Sequence, residues 1–123
     1  GADKLDFTVL DNSASAFEKA IYNTALTSYE GQWIYVVATY SGVGGTSANA
    51  GISLYLNGSQ LATTLSDSGT YVAMEDLSGA FRMGRYSTDY GEGQIANTQI
   101  YNRALTYAEI QQNYNSFKSR FGK

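Results

Sequence analysis

Apolar and polar residues alternate over residues 4–10, with Leu5, Phe7 and Val9 on one side and Lys4, Asp6 and Thr8 on the other. That period of two is the mark of a half-buried strand, and Asp11-Asn12-Ser13 reads as the turn after it. Residues 15–26 are ambiguous on local pattern. Phe17, Ala20, Ile21 and Ala25 fit a helix face, and Phe17, Lys19 and Ile21 fit a strand poorly. Residues 33–40 (WIYVVATY) are apolar on both faces. Burial on both sides predicts a strand inside a sheet rather than at its edge, with Trp33 in the core. Residues 41–51 form a small-residue loop with four glycines, read as a flexible tip or the rim of a binding surface.

Ile52, Leu54 and Leu56 point one way, and Asn57-Gly58 supplies a two-residue turn that wants positive φ. Leu61 should then fall opposite Leu54, giving a hairpin over residues 52–65. Asp67-Ser68-Gly69 turns again, and residues 71–74 read as a short strand. Residues 79–86 read as a strand opening into the polar loop 87–93 (STDYGEG). Residues 94–102 read as a last strand, with Ile95 and Ile100 apolar and Asn97 and Gln99 polar.

The period then changes. Thr106 and Glu109 have the spacing of a capping box, in which hydroxyl and carboxylate each bond the other's backbone amide. Leu105 and Ile110 stand at staple spacing around it, and Tyr107, Ile110, Tyr114, Phe117 and Phe121 recur on one helical face. A helix should begin near Thr106, dock by this aromatic stripe and stop near Gly122. The pattern sums to about eight short strands followed by one helix, with no internal repeat.

Composition narrows the chemistry. The 123 residues suit one domain, 1–123, and 43% hydrophobic against 15% charged residues is too apolar for a disordered tail. No stretch approaches ~18 consecutive apolar residues, so no segment is predicted to span a membrane. A net charge of −3 with no basic run argues against nucleic acid as a partner. Cysteine and histidine are both absent, which removes disulfides, thiolate metal sites and the usual zinc ligand and general base. The chain begins Gly1-Ala2-Asp3 with no initiator Met and reads as cut from a longer polypeptide.

Three segments together resemble the concanavalin A-like, laminin-G type 3 module of bacterial, phage and marine environmental sequences. Residues 32–40 (QWIYVVATY) are similar to that family's tryptophan strand, and residues 54–58 (LYLNG) to its hairpin. Gly93-Gln94-Ile95-Ala96, then residues 100–106 (IYNRALT) with Glu109-Ile110, are similar to its closing strand and helix. The resemblance covers roughly residues 32–114 and is carried by the order and spacing of the three. It implies an all-β fold: a two-sheet antiparallel β-sandwich (jelly roll) with a short C-terminal α-helix. It also tips residues 15–26 to strand. Family members carry further strands ahead of the segment equivalent to residues 5–10, so the chain reads as starting partway into the domain. An edge left open that way predicts a homodimer through the N-terminal third, burying mostly apolar side chains.

Some members of the superfamily are glucanases with a Glu-x-Asp-x-Glu strand, and a retaining glycosidase needs two carboxyl groups ~5 Å apart. No Glu-x-Asp-x-Glu occurs here, and Glu75-Asp76, being adjacent, would face opposite sides of a strand. No catalytic residues are therefore assigned, and the chain is read as not an enzyme. Lectins of the superfamily often hold Ca²⁺, which makes that ion a candidate ligand. The available oxygens are on Asp11, Asn12, Asp67, Asp89 and Glu92, without a dense ligand spacing, and a solvated turn role is the plainer reading of them. Tyr86 and Tyr90 flank the polar loop with Asp89 and Glu92, where flat ring faces suit the C–H side of a pyranose, although a surface tyrosine without a ligand role is the plainer reading of each. Asn97 and Gln99 share one face of the last strand, either lining a concave sheet or simply wetted. These six residues are the candidate ligand-binding set. Arg103 is read as structural, tying the helix start or a neighbouring carboxylate.

The reading that follows is a carbohydrate-binding, non-catalytic recognition module of an extracellular, cell-surface or virion protein. A structural or protein–protein interaction domain without a sugar site is the alternative from another class, and a glycoside hydrolase fragment ranks below both.

Overall fold

The computed structural model describes residues 3–122. Gly1 and Ala2, part of the start read as a cut end, lie outside the described residues, as does Lys123. The alternating segment forms β1 (Asp6–Asp11), which turns back at Ser15 (φ 49°) into β2 (Ala16–Tyr22). The two are antiparallel from Asp6↔Ile21 to Asp11↔Ala16. The ambiguous stretch is thus a strand, inward at Ala16, Glu18 and Ala20. Its helical apolar spacing is overridden by pairing on both edges.

A second antiparallel sheet is built from β3 (Val36–Tyr40), β4 (Ile52–Leu56) and β5 (Ser59–Gln60). The expected hairpin holds: Asn57 and Gly58 have φ of 50° and 81°, the mirror-image turn whose twist suits two strands. The Leu61 amide donates to the Leu54 carbonyl at 2.9 Å. One residue later the chain changes sheets, because the Ala62 carbonyl already accepts from Asn23. It continues as β6 (Thr63–Ser68) beside β2, giving the order β1-β2-β6.

Both sheets feed one core. Val9, Ala16 and Ala20 from the first meet Ile52 and Leu54 from the second, closed by Ala48 and Tyr71. The loop over residues 41–51 is therefore not a free tip. Its last turn (Ala48–Gly51) buries Ala48 and Asn49, and the Asn49 amide donates to the buried Glu18 carboxylate at 3.1 Å. Behind the second sheet lie β4's Tyr55, with Tyr35 and Val37, covered by Leu105 and Ile110.

That cover comes from α1 (Tyr107–Phe117), capped by Thr106 with both halves of the box formed. The helix ends in a 3₁₀ turn (Lys118–Phe121) that Gly122 closes in the left-handed conformation. The aromatic stripe docks as expected. Tyr107 stacks on Tyr55 at 6.2 Å, Tyr114 meets Tyr35 at 6.0 Å and Phe121 meets Trp33 at 5.1 Å.

Five expectations are corrected. The tryptophan segment is a strand only over β3, and among the described residues β3 pairs with β4 alone, so it is an edge rather than a central strand. Its apolar residues report two different covers, Leu105 and Ile110 over Tyr35 and Val37 on one side and the shared core against Tyr40 on the other, and say nothing about edges. Trp33 is no core residue: it is 38% exposed and lies against Phe121 at the end of the helical segment. Residues 71–74 and 94–102 form no strand, and of residues 79–86 only β7 (Arg85–Tyr86) does, paired to β8 (Asp89–Tyr90). Residues 72–104 are all exposed, and apart from that two-residue ribbon they run without a ladder partner. Alternation in sequence reports which faces differ, not whether a neighbouring edge exists.

Candidate functional site

Gly84 and Gly91 bracket a small hairpin, with the Gly91 amide donating to the Gly84 carbonyl at 2.8 Å. Between them Arg85 pairs with Tyr90 and Tyr86 with Asp89 across a turn at Ser87, whose φ is 53°. Arg85 fixes the tip: its Nε donates to the Ser87 carbonyl at 2.8 Å, and its guanidinium stands 5.3 Å over the Tyr90 ring. This leaves Tyr86 80% and Tyr90 71% exposed, with Tyr86 on the face of its cross-strand partner Asp89 and Tyr90 on the opposite face with Arg85. Four of the sequence-derived candidates, Tyr86, Asp89, Tyr90 and Glu92, thus fall within or next to one turn. Asn97 and Gln99 lie farther along in exposed chain without regular structure, and Gln99 accepts the Tyr101 hydroxyl at 3.3 Å. Arg85 was not among the candidates. The signal was its place directly across from Tyr90, where a cation–π contact is geometrically available.

The other oxygens considered for Ca²⁺ have different work. Asp11 is 4% exposed and accepts from the Ser13 hydroxyl (3.0 Å), the Ala14 amide (3.0 Å) and the Val72 amide (3.1 Å). These bonds, the Ala14 and Val72 amides foremost, hold its carboxyl below the usual range. It pins the β1–β2 turn to the first residue of the exposed segment. Glu75 accepts the Ser13 amide at 3.0 Å over the same turn. They border a shallow groove of about 400 Å³ lined also by Leu10, Phe17, Met74 and Leu77. Among the described residues, no three acidic side chains converge on a point that could hold a metal ion.

Arg103 does what its position suggested. Its guanidinium donates to both Glu109 oxygens, at 2.7 and 2.8 Å, while Glu109 also accepts the Thr106 amide at 2.8 Å. Arg103 first, then these Thr106 bonds, hold the Glu109 carboxyl down at about 2.

Among curated proteins none matches the chain. A solved structure with the same fold is that of residues 221–444 of an S-layer domain-containing protein from Clostridium thermocellum. It is 18% identical, with a TM-score of 0.52, and the match covers 93% of this chain and 64% of that one. At that identity the likeness speaks for the fold alone, and this chain spans less than two thirds of the solved one. A family model matches residues 1–111, well beyond the segments that carried the sequence resemblance. With its two antiparallel sheets and capped terminal helix, the chain belongs to the laminin-G type 3 family of the concanavalin A-like lectin/glucanase superfamily.

Proposed function

We propose that this domain is a non-catalytic recognition module whose β7–β8 hairpin binds carbohydrate, in a protein displayed at a cell or virion surface or secreted. The observation that carries the reading is the hairpin itself. Two tyrosines project from a turn braced by Arg85, with Asp89 between them in sequence and directly across from Tyr86. Flat apolar ring faces suit the C–H side of a pyranose, and the neighbouring carboxylate suits its hydroxyls. Glu92, Asn97 and Gln99 supply further polar contacts along the same exposed chain. The membership in a lectin-containing superfamily and the surface-layer neighbour support the reading by analogy of fold.

A glycan array run with and without Ca²⁺ tests the proposal and places the ion as ligand or bystander. Tyr90→Ala and Asp89→Ala should weaken any binding found by about tenfold or more, the worth of a lost stacking face or charged hydrogen bond. Unchanged affinity in both variants removes this loop as the site. Purified chain should release no sugar from laminarin or lichenan, and turnover that vanishes in Glu75→Gln would reverse that assignment. A protein–protein role is the second reading, favoured by the many apolar side chains exposed over residues 72–101.

A further inference from the structure

We propose that the open edge of β3 is completed by residues 94–102 of a second copy of this chain, each copy lending that segment to the other. The edge is ready for a strand. Bonds at Asn57 N–H to Tyr35 and Ser41 N–H to Gly51 fix which β3 residues face β4. The alternation of an antiparallel ladder then turns the amides and carbonyls of Val36, Ala38 and Tyr40 toward the unpaired side. The side chains there lack cover as well: Val36 is 43% exposed and Ala38 is exposed, although their cross-strand partners Leu56 and Leu54 are buried.

The segment is ready too. Residues 94–102 form no helix or strand, carry no charge and have no ladder partner among the described residues, and β3 carries no charge either. None of the usual guards of an edge strand, a Lys, a Pro or a bulge, protects it, and no charged side chain lies in either segment to repel the other.

Area favours a second copy over a small peptide. Leaving the hairpin's Tyr86 and Tyr90 aside, eight large apolar or aromatic side chains over residues 72–101, Phe81, Met83, Ile95 and Ile100 among them, are 44–70% exposed. At roughly 100 Å² or more apiece they offer on the order of 800 Å² per chain, against the ~800 Å² each partner gives a standard stable interface. The chain's own segment is tethered at Val72 by Asp11 and Gly45, at Glu75 by Ser13 and at Tyr101 by Asn113, and its residues from 72 to 104 are exposed throughout. A two-fold exchange satisfies both open edges with no third component. The hairpin with Tyr86, Asp89 and Tyr90 lies outside the added strand, so this inference stands or falls apart from carbohydrate binding.

Sedimentation velocity of the 123-residue chain, diluted from about 100 µM to about 1 µM, tests the exchange. Two variants accompany it: Ile100→Asp in the segment and Ala38→Pro at the edge. Ala38→Pro removes only a donor that faces away from β4, and Ile100→Asp touches neither sheet, so circular dichroism should report an intact fold in both. The expected result is a dimer whose dissociation constant rises at least about tenfold in each variant. Val36, Ala38 and Tyr40 amides should exchange more slowly in the dimer than in the diluted chain. If Ala38→Pro loses the fold, Ile100→Asp decides alone. A monomer at about 100 µM overturns the proposal, including one with protected β3-edge amides, which would mean the segment closes on its own chain. A dimer that no correctly folded variant weakens overturns it equally.

Discussion

Asp11, Tyr71 and Glu109 show how much of this fold is set by single polar groups. Tyr71 is 1% exposed, yet its hydroxyl finds no hydrogen-bond partner among the described residues, while the neighbouring Tyr40 hydroxyl donates to the Val43 carbonyl. Burial first, then the nearby Tyr40 hydroxyl, pushes the Tyr71 phenol up to about 12. An unpaired buried hydroxyl costs stability, so Tyr71→Phe should leave stability unchanged or raise it by up to about 1 kcal/mol in urea denaturation. Glu109 behaves in the opposite sense. Its carboxyl sits at about 2 in the fold against an ordinary 4.5, so folding favours the ionised form. Its contribution is fully present above about pH 4.5 and is lost as pH falls through about 2. Helical ellipticity should fall across that window in the parent and show less of the step in Glu109→Gln. Thr106→Ala removes the other half of the box and should cost about 1 kcal/mol. The capping box was legible in sequence because it is a local spacing rule. The role of Asp11 was not, since its clasp on Val72 joins residues 61 apart.

At the scale of elements, α1 is held by what it covers rather than by its own propensity. Ile110 is fully buried between Leu105 and Tyr55, whereas Tyr114 is only half-buried against Tyr35. Ile110→Ala should therefore cost about 2–4 kcal/mol, and Tyr114→Ala measurably less. Equal small losses in chemical denaturation would mean the helix is not docked. The β4–β5 turn is coupled to the same helix. Gly58 has φ 81°, and a Cβ there would come within 2.8 Å of the Tyr114 ring. Gly58→Ala should cost about 1–2 kcal/mol from the left-handed backbone alone, and more if the ring cannot retreat. The hairpin was readable because Asn-Gly dictates its own geometry. The neighbours of β3 were not, because Tyr35 and Val37 look the same in sequence whether a helix or another sheet covers them. Residues 94–102 show the same gap: Ile95 and Ile100 are apolar and Asn97 and Gln99 polar, as in a half-exposed strand, but a ladder needs an edge, and no residue pattern specifies one.

On the scale of the whole molecule, the chain divides into a packed body and a long exposed crossing between two anchors. The first anchor is Tyr71 with Val72, held in the core and by Asp11; the second is Leu105 with α1, held on the back of the second sheet. The candidate hairpin sits in the crossing, where exposed chain carries binding groups that a rigid body positions. This arrangement makes a prediction about proteolysis. Trypsin at about 1 µM chain, where association is weak, should cut first after Arg82, which lies in no element, and then after Arg85 at the edge of the hairpin. Arg103 should resist longer because its guanidinium is held by Glu109. After the Arg82 cut the two pieces should still elute together. Nothing covalent joins them, but Leu105, Ile110 and the Tyr55–Tyr107, Tyr35–Tyr114 and Trp33–Phe121 ring pairs lie between body and helix. Separation of the pieces in native size-exclusion chromatography would show that α1 depends on the crossing for its place. Co-elution with an unchanged circular dichroism spectrum would show that the body and its helix hold together independently of the segment that presents the hairpin.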